Sequence, residues 1–315
     1  MVRRPPQIAV IGTINHDIVI RADGSRSEGY GGILYNLHVL AHTLPDAGIF
    51  PLVNIGRDRA PEIFRLLAAL PQLDLRATRV VPRKNNQCRL VYHDVAAKSE
   101  RLHGWVGAVS RDQLRQVLNC DLYLVNYISG SDITTANLRW LRDSSPALIY
   151  LDFHSRTLGR RANGDRFLRR PRDWRETIAC ADLLQMNEIE FELLAGAPCR
   201  EPDLRDFFEL HLRGLCRALL VTLGSRGAVC VRPGRRQVLI DSIPAPALRS
   251  VRDTTGCGDV FAAALVARYL SSGNFIAAAR FAVAAASRRA AVQQLSDIDW
   301  GQFRKLTLPR TGLLR

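Results

Sequence analysis

The sequence predicts an α/β fold with a mostly parallel central sheet covered by helices on both faces, and three observations predict it. Short, fully apolar runs alternate with amphipathic stretches for most of the chain. Strands buried on both faces read as continuous apolar runs, and parallel strands need helical crossovers between them. Two polar, alternating segments break that rhythm, and near the C-terminal end a glycine-rich turn runs straight into an apolar helix.

The expected strands are QIAVIG (7–12), FPLVNIG (50–56), DLYLVN (121–126), ALIYLDF (147–153), DLLQMN (182–187) and ALLVTLG (218–224). The expected helices lie near 32–43, 60–70, 111–119, 132–143, 188–195 and 203–215. Ligands of such sheets bind beyond the carboxyl ends of the strands, where most of the polar residues named below fall. The excursions 14–30 and 84–106 read as extended strands with turns, either two surface hairpins or one small β-flap over the main sheet. No repeat, low-complexity tract or linker divides the chain, so residues 1–315 are read as a single domain.

With 47% hydrophobic and 23% charged residues, the 315-residue chain reads as a globular protein, and wholesale disorder is excluded. No run of apolar residues is long enough for a membrane span, and the start MVRRPPQIAVIGTIN lacks a secretory apolar core, so a cytoplasmic location is expected. The net charge of +14 invites a nucleic-acid reading. Yet all but Lys84, Lys98 and Lys305 of the 44 basic residues are arginines, spread along the chain, and adjacent ones such as 169–170, 235–236 and 288–289 are no more than pairs. No zinc-finger, RNP-type or basic-helix pattern accompanies them, so a nucleic-acid partner is not indicated. The seven cysteines are odd in number and widely spaced, which fits neither a disulfide framework nor a zinc site.

Asp253-Thr254-Thr255-Gly256-Cys257-Gly258-Asp259, followed by VFAAALVARYL, carries the strongest chemical signal. Glycines at 256 and 258 let the backbone turn tightly into a helix whose first N–H groups are unpaired and whose dipole adds positive charge, which makes an anion site. Asp259 falls in the first turn, where its carboxylate can take a proton from a substrate hydroxyl. Cys257 reads as a packing residue rather than a nucleophile, although a thiol at a helix N-terminus can have a lowered pKa and be oxidisable.

This segment resembles the C-terminal signature of the ribokinase-like (PfkB-type) carbohydrate kinases, DTTGAGD, with Cys257 in the alanine position. Other matches follow in the family's order. Asn15 and Asp17 resemble the polar pair that grips substrate hydroxyls, and Gly31-Gly32-x-x-x-Asn36 the N-terminal substrate signature. Asn54-Ile55-Gly56-Arg57-Asp58 resembles the strand-end turn, Asn187-x-x-Glu190 the magnesium and phosphate element, and Thr222-Leu223-Gly224-Ser225-Arg226-Gly227 the nucleotide-binding turn. The resemblance implies a three-layer sandwich with a small β-lid, formed by about 14–30 and 84–106. It further implies an ATP-dependent kinase acting on a sugar-like hydroxyl, with Asp259 as general base and Gly256, Cys257 and Gly258 as the anion hole. Thr222, Gly224, Gly227 and Asn187 would bind the nucleotide, Glu190 would hold Mg2+ through water, and Asp253 would order the loop or a monovalent cation such as K+. A homodimer through the lid is a further implication of the resemblance.

Departures narrow the reading. Ile33 and Leu34 stand where ribokinase carries a lysine, so ribose is not indicated, and Val283 replaces an asparagine near the adenine. A nucleoside kinase is the alternative of the same class, with Tyr30, Leu90, Tyr92 and Trp105 as candidates for an apolar clamp. A non-catalytic ligand-binding regulator is the alternative of a different class. Asn126–Gly130 and Asp152–Arg156 follow strands and face the expected cleft, and the sequence assigns them no role.

Overall fold

The computed structural model describes residues 4–70, 72–93 and 98–301. Residues 94–97 of the second excursion, and the ends of the domain assigned to 1–315, lie outside them.

Eight strands form the main sheet, in the order Val238–Ile243, Ala228–Pro233, Ala218–Thr222, Leu183–Asn187, Leu148–Asp152, Leu122–Asn126, Gln7–Ile11 and Gly48–Leu52. The last six are mutually parallel and the first two are added antiparallel at one edge. Strand alternation feeds two cores. Ile8, Val10, Leu122 and Leu124 pack with the helices Ile33–Thr43, Cys257–Ser272 and Phe275–Ala290. Ala9, Ile11, Tyr123 and Val125 pack on the other face with Leu138, Phe191, Phe207 and Phe208. Helices on both faces of the sheet make the three layers, and all six apolar runs form strands because both faces are covered. Among the described residues no helix is long and apolar enough to cross a membrane.

The expected elements shift in three places. The run 50–56 splits into Gly48–Leu52, at the sheet edge where Pro51 costs no ladder bond, and Asn54–Gly56, which pairs with Arg79–Val81. The helix expected over 111–119 closes after Arg111–Arg115. The edge hairpin 228–243 was not expected from the apolar runs, since only the two end residues of its second strand are buried.

The two polar excursions meet in one four-stranded sheet, ordered Arg26–Tyr30, His16–Ile20, Gln87–Tyr92 and Lys98–His103. Its middle pair is parallel, with Asp17 opposite Cys88 and Val19 opposite Leu90. Val19, Cys88, Leu90 and Leu102 give it a small core of its own. The Asn54–Asp58 turn anchors this sheet rather than a ligand: Asp58 Oδ1 accepts from the Asn85 N–H at 2.8 Å, and Asn85 Oδ1 accepts from Gly56 at 3.0 Å.

Helix Cys257–Ser272 is buried from Asp259 to Ala267, because it is sandwiched between the sheet and the neighbouring helices. Its three alanines 262–264 are fully buried. Ala263→Leu is therefore expected to overpack this contact and cost about 1–3 kcal/mol, read as a lower denaturant midpoint with an unchanged m-value.

Candidate active site

The same helix starts at the carboxyl ends of the strands, and no side chain caps it. Gly256 takes the left-handed conformation there (φ 77°), and a Cβ at this position would come within 2.8 Å of the Tyr35 ring. Only glycine meets both conditions. Gly258 differs: a Cβ would find nothing nearer than Gln185 Nε2 at 3.7 Å, so the protein itself does not demand glycine there.

Asp253 holds the loop from behind. Its carboxylate accepts from the Thr255 N–H at 2.8 Å and from Arg289 Nη2 at 2.8 Å. Burial alone would raise this carboxyl, but the Thr255 N–H and the Arg289 guanidinium outweigh it and hold the group below its usual range. Of the two roles expected for it, the carboxylate takes the ordering of the loop, and it faces an internal guanidinium. Cys257 suits a packing residue: burial pushes its thiol up to about 12, against the lowering that a helix start can cause, because desolvation and the nearby Asp253 and Asp259 outweigh Arg289.

Asp259 is oriented by a buried amide chain. Asn126 Nδ2 donates to Asp259 Oδ1 at 2.8 Å and to Asn36 Oδ1 at 3.1 Å, while Asn36 Nδ2 donates to the Asp259 carbonyl at 2.7 Å. Asn36, expected to touch substrate, is instead fully buried behind Asp259 and ties its helix to that of Asp259. Asn126, to which the sequence assigned no role, is the direct partner of the candidate base; its place at the end of an apolar strand was the available signal.

Asp259 opens into a cleft of about 220 Å3 between the main sheet and the small one. Asn15, Asp17 and Gly32 line it from one side, Cys88, Leu90 and Glu100 from the small sheet, and Asp152, His154, Asn187 and Glu190 from the strand ends. Gly31 lies outside the lining, and its missing Cβ makes room for the Asp17 carboxylate. Asn15 Oδ1 is buried and finds no partner among the described residues. Asn187 and Glu190 form a capping box: Glu190 accepts from the Asn187 N–H at 2.9 Å and from its Nδ2 at 2.6 Å, and donates its own N–H to Asn187 Oδ1 at 2.9 Å. His154 is the one non-glycine residue with positive φ (32°) among the described residues, and its Nδ1 lies 3.9 Å from Glu190 Oε1. Backbone strain of this kind concentrates at functional sites.

Asp152 is buried in this cleft, and burial, then Glu190 and Asp259, push its carboxyl well above the usual range. A second pocket, of about 680 Å3, is lined by Thr222, Gly224, Gly227, Leu248, Phe261, Val283 and Ser287 among others. Asn187, expected with the nucleotide, stands in the first cleft beside Glu190 rather than here. Thr222, Thr254, Cys257 and Gly258 line both cavities, which therefore meet at the helix start. Of the four aromatic and apolar clamp candidates only Leu90 lines the first cleft. Tyr30 lines a neighbouring pocket, Tyr92 bonds Thr255 and Trp105 lies half exposed under Arg83.

Comparison with known proteins agrees with this fold. Residues 161–299 match the family described as pfkB family carbohydrate kinase. The solved structure of Arabidopsis thaliana ribokinase complexed with ribose and ATP superposes with a TM-score of 0.73 at 21% identity, covering 98% of this chain and 100% of that one. The chain has the ribokinase-like fold, and its residues 161–299 resemble the PfkB type. A nucleoside kinase from Methanocaldococcus jannaschii shares the ribokinase-like fold, with a TM-score of 0.71 at 17% identity over 96% of this chain and 98% of its own. In sequence, ribokinase of Arabidopsis thaliana is 34% identical over 114 residues, 36% of the ribokinase-like chain and 29% of that relative. The match thus spans under a third of the plant protein's length.

A carboxyl whose folded pKa lies above its unfolded value, near 3.8, contributes stability below that value and loses it as pH rises toward the folded one. Asp152→Asn is therefore expected to melt above the parent chain at pH 8, with the gain shrinking as pH falls toward 4. A pH series of thermal melts reads it, and a gain constant with pH contradicts it.

Proposed function

We propose that the protein is an ATP-dependent kinase that phosphorylates a hydroxyl of a neutral, sugar-like acceptor. The observation that carries the reading is the junction of two cavities at Thr254, Cys257 and Gly258, with Asp259 one residue further on. The larger pocket takes the nucleotide against Val283, Phe261 and Thr222, with Gly224 and Gly227 leaving its rim free of side chains. Its triphosphate points to the uncapped N–H groups of residues 256–258, which stabilise negative charge on the transferring phosphoryl group. The acceptor binds beneath the lid of residues 14–30 and 84–106, gripped by Asn15 and Asp17. Closing the cleft excludes water, which otherwise competes as acceptor. Asp259 takes the proton of the acceptor hydroxyl as its oxygen attacks the γ-phosphorus, and ADP leaves.

Five carboxylates, of Asp17, Glu100, Asp152, Glu190 and Asp259, line the acceptor cleft, and no lysine or arginine lines it among the described residues. In a chain of net charge +14 that local excess of acid selects the acceptor. A neutral polyol offers hydroxyls to those carboxylates, whereas a sugar phosphate or sugar acid meets like charge. The donor set also fits a magnesium ion held through water, since both Glu190 oxygens are already engaged with Asn187 and Asp152 is raised by burial and then by the Glu190 and Asp259 charges. Bound there, Mg2+ supplies charge neutralisation to the triphosphate.

An ADP-release screen over neutral sugars, polyols, nucleosides, sugar phosphates and sugar acids tests the reading. Neutral acceptors are expected to be used with a kcat/KM roughly tenfold or more above their anionic counterparts. Release of ADP with none of them contradicts a kinase of this class. Asp259→Asn should lower turnover by roughly 10²–10⁴-fold while nucleotide affinity changes little, because backbone groups dominate the anion site. Gly258→Ala should hold or gain about 0.5 kcal/mol of stability, as alanine suits a helix better, yet lose roughly 10²-fold in turnover because its methyl enters the phosphoryl path. A Gly258→Ala protein with parental turnover would move the transfer site elsewhere.

A further inference from the structure

Arg289 stands in the last turn of helix Phe275–Ala290 and is only 2% exposed. A buried guanidinium is costly unless oxygen atoms surround it. Here they come from the phosphate loop and the helix end. Nη2 donates to Asp253 Oδ2 at 2.8 Å, and Nη1 to the Asp253 carbonyl at 3.3 Å and the Val292 carbonyl at 3.1 Å. The Tyr35 ring lies 5.6 Å from the guanidinium carbon, and Nε has no partner among the described residues. One carboxylate and two carbonyls converging on a buried point are a donor set for a hard, spherical cation, and the leftover Nε–H marks the guanidinium as an imperfect tenant of it.

The loop needs positive charge at that point. The N–H groups of Arg252 and Asp253 both rest on the Ala290 carbonyl, at 2.7 and 3.3 Å, so the loop sits on the negative end of the helix. The Asp253 carboxylate adds a full negative charge, and its other oxygen fixes the Thr255 N–H directly before Gly256. Order passes from Arg289 through Asp253 and Thr255 to the helix start where the two cavities meet.

We propose that Arg289 is a tethered cation that fills the place a monovalent metal ion would take beside the 253–259 loop, so that the loop keeps its shape without K+. Arg289 is thus a positioning residue, and its consequence for turnover rests on the kinase reading, while its consequence for the loop does not.

Thermal unfolding of the full chain in potassium, sodium and choline chloride at equal ionic strength tests it. The parent chain is expected to melt at the same temperature, within about 1 °C, in all three. Arg289→Ala and Arg289→Gln should melt lower in choline and recover selectively in potassium by about 2 °C or more, since an ion that binds only the folded loop stabilises it. A merely structural arginine would leave both variants equally weakened in every salt, and that result overturns the proposal. So does a potassium-selective rise in the parent chain, which decides the matter even if neither variant folds. With a turned-over acceptor in hand, parental kcat should be alike in potassium and choline, while that of Arg289→Ala recovers in potassium. Absence of turnover in every salt counts against the kinase reading and leaves the melting comparison to judge Arg289.

Discussion

The helix Cys257–Ser272 begins inside the protein with no side chain to close its first turn, and the arrangement of the rest follows from that. Its N–H groups cannot be left in an apolar interior, so its start has to open on a polar cavity. Burial from Asp259 onward fixes where that start falls, at the carboxyl ends of the parallel strands. The left-handed Gly256, pressed against Tyr35, sets the angle at which the chain arrives. A cavity on each side of this point and a carboxylate within the first turn are what transfer of an anionic group between two ligands requires.

The second organising feature is the separation of charge. The chain is strongly basic, yet its cleft is acidic, and Arg289, beside the loop, is turned inward. Arg289 is spent on Asp253 and two carbonyls rather than offered to ligand. Positive charge at the transfer point therefore comes from backbone dipoles, which do not move, while the carboxylates face the hydroxyl side. Asp152, raised first by burial and then by its acidic neighbours, registers part of the cost of gathering them in one cleft.

Much of the fold was legible because parallel strands covered on both faces leave an unbroken apolar trace. The same property hid one boundary: Val53 is as apolar as its neighbours, so the step from Gly48–Leu52 to Asn54–Gly56 leaves no mark. The polar alternation of 14–30 and 84–106 was visible, whereas their pairing depended on contacts across some seventy residues of chain. At the site, residues placed by local chemistry were readable, as with Gly256 and Asp259. Residues placed by distant partners were not. Asn36, Asn126 and Asp259 meet from three remote segments, and the pairing of Arg289 with Asp253 joins a helix end to a loop. Cys257 shows the limit of a local rule, since the dipole that lowers a thiol pKa on a surface helix is outweighed here by burial.

The central claim is that one nucleotide site and one acceptor site share the 254–258 backbone. A crystal structure of the full chain with a non-hydrolysable ATP analogue and magnesium tests it most directly. The account predicts the base against Val283 and Phe261, the ribose near Thr222, and the γ-phosphate on the N–H groups at Cys257 and Gly258, facing Asp259. A triphosphate bound with its terminal phosphate away from that helix start would contradict it.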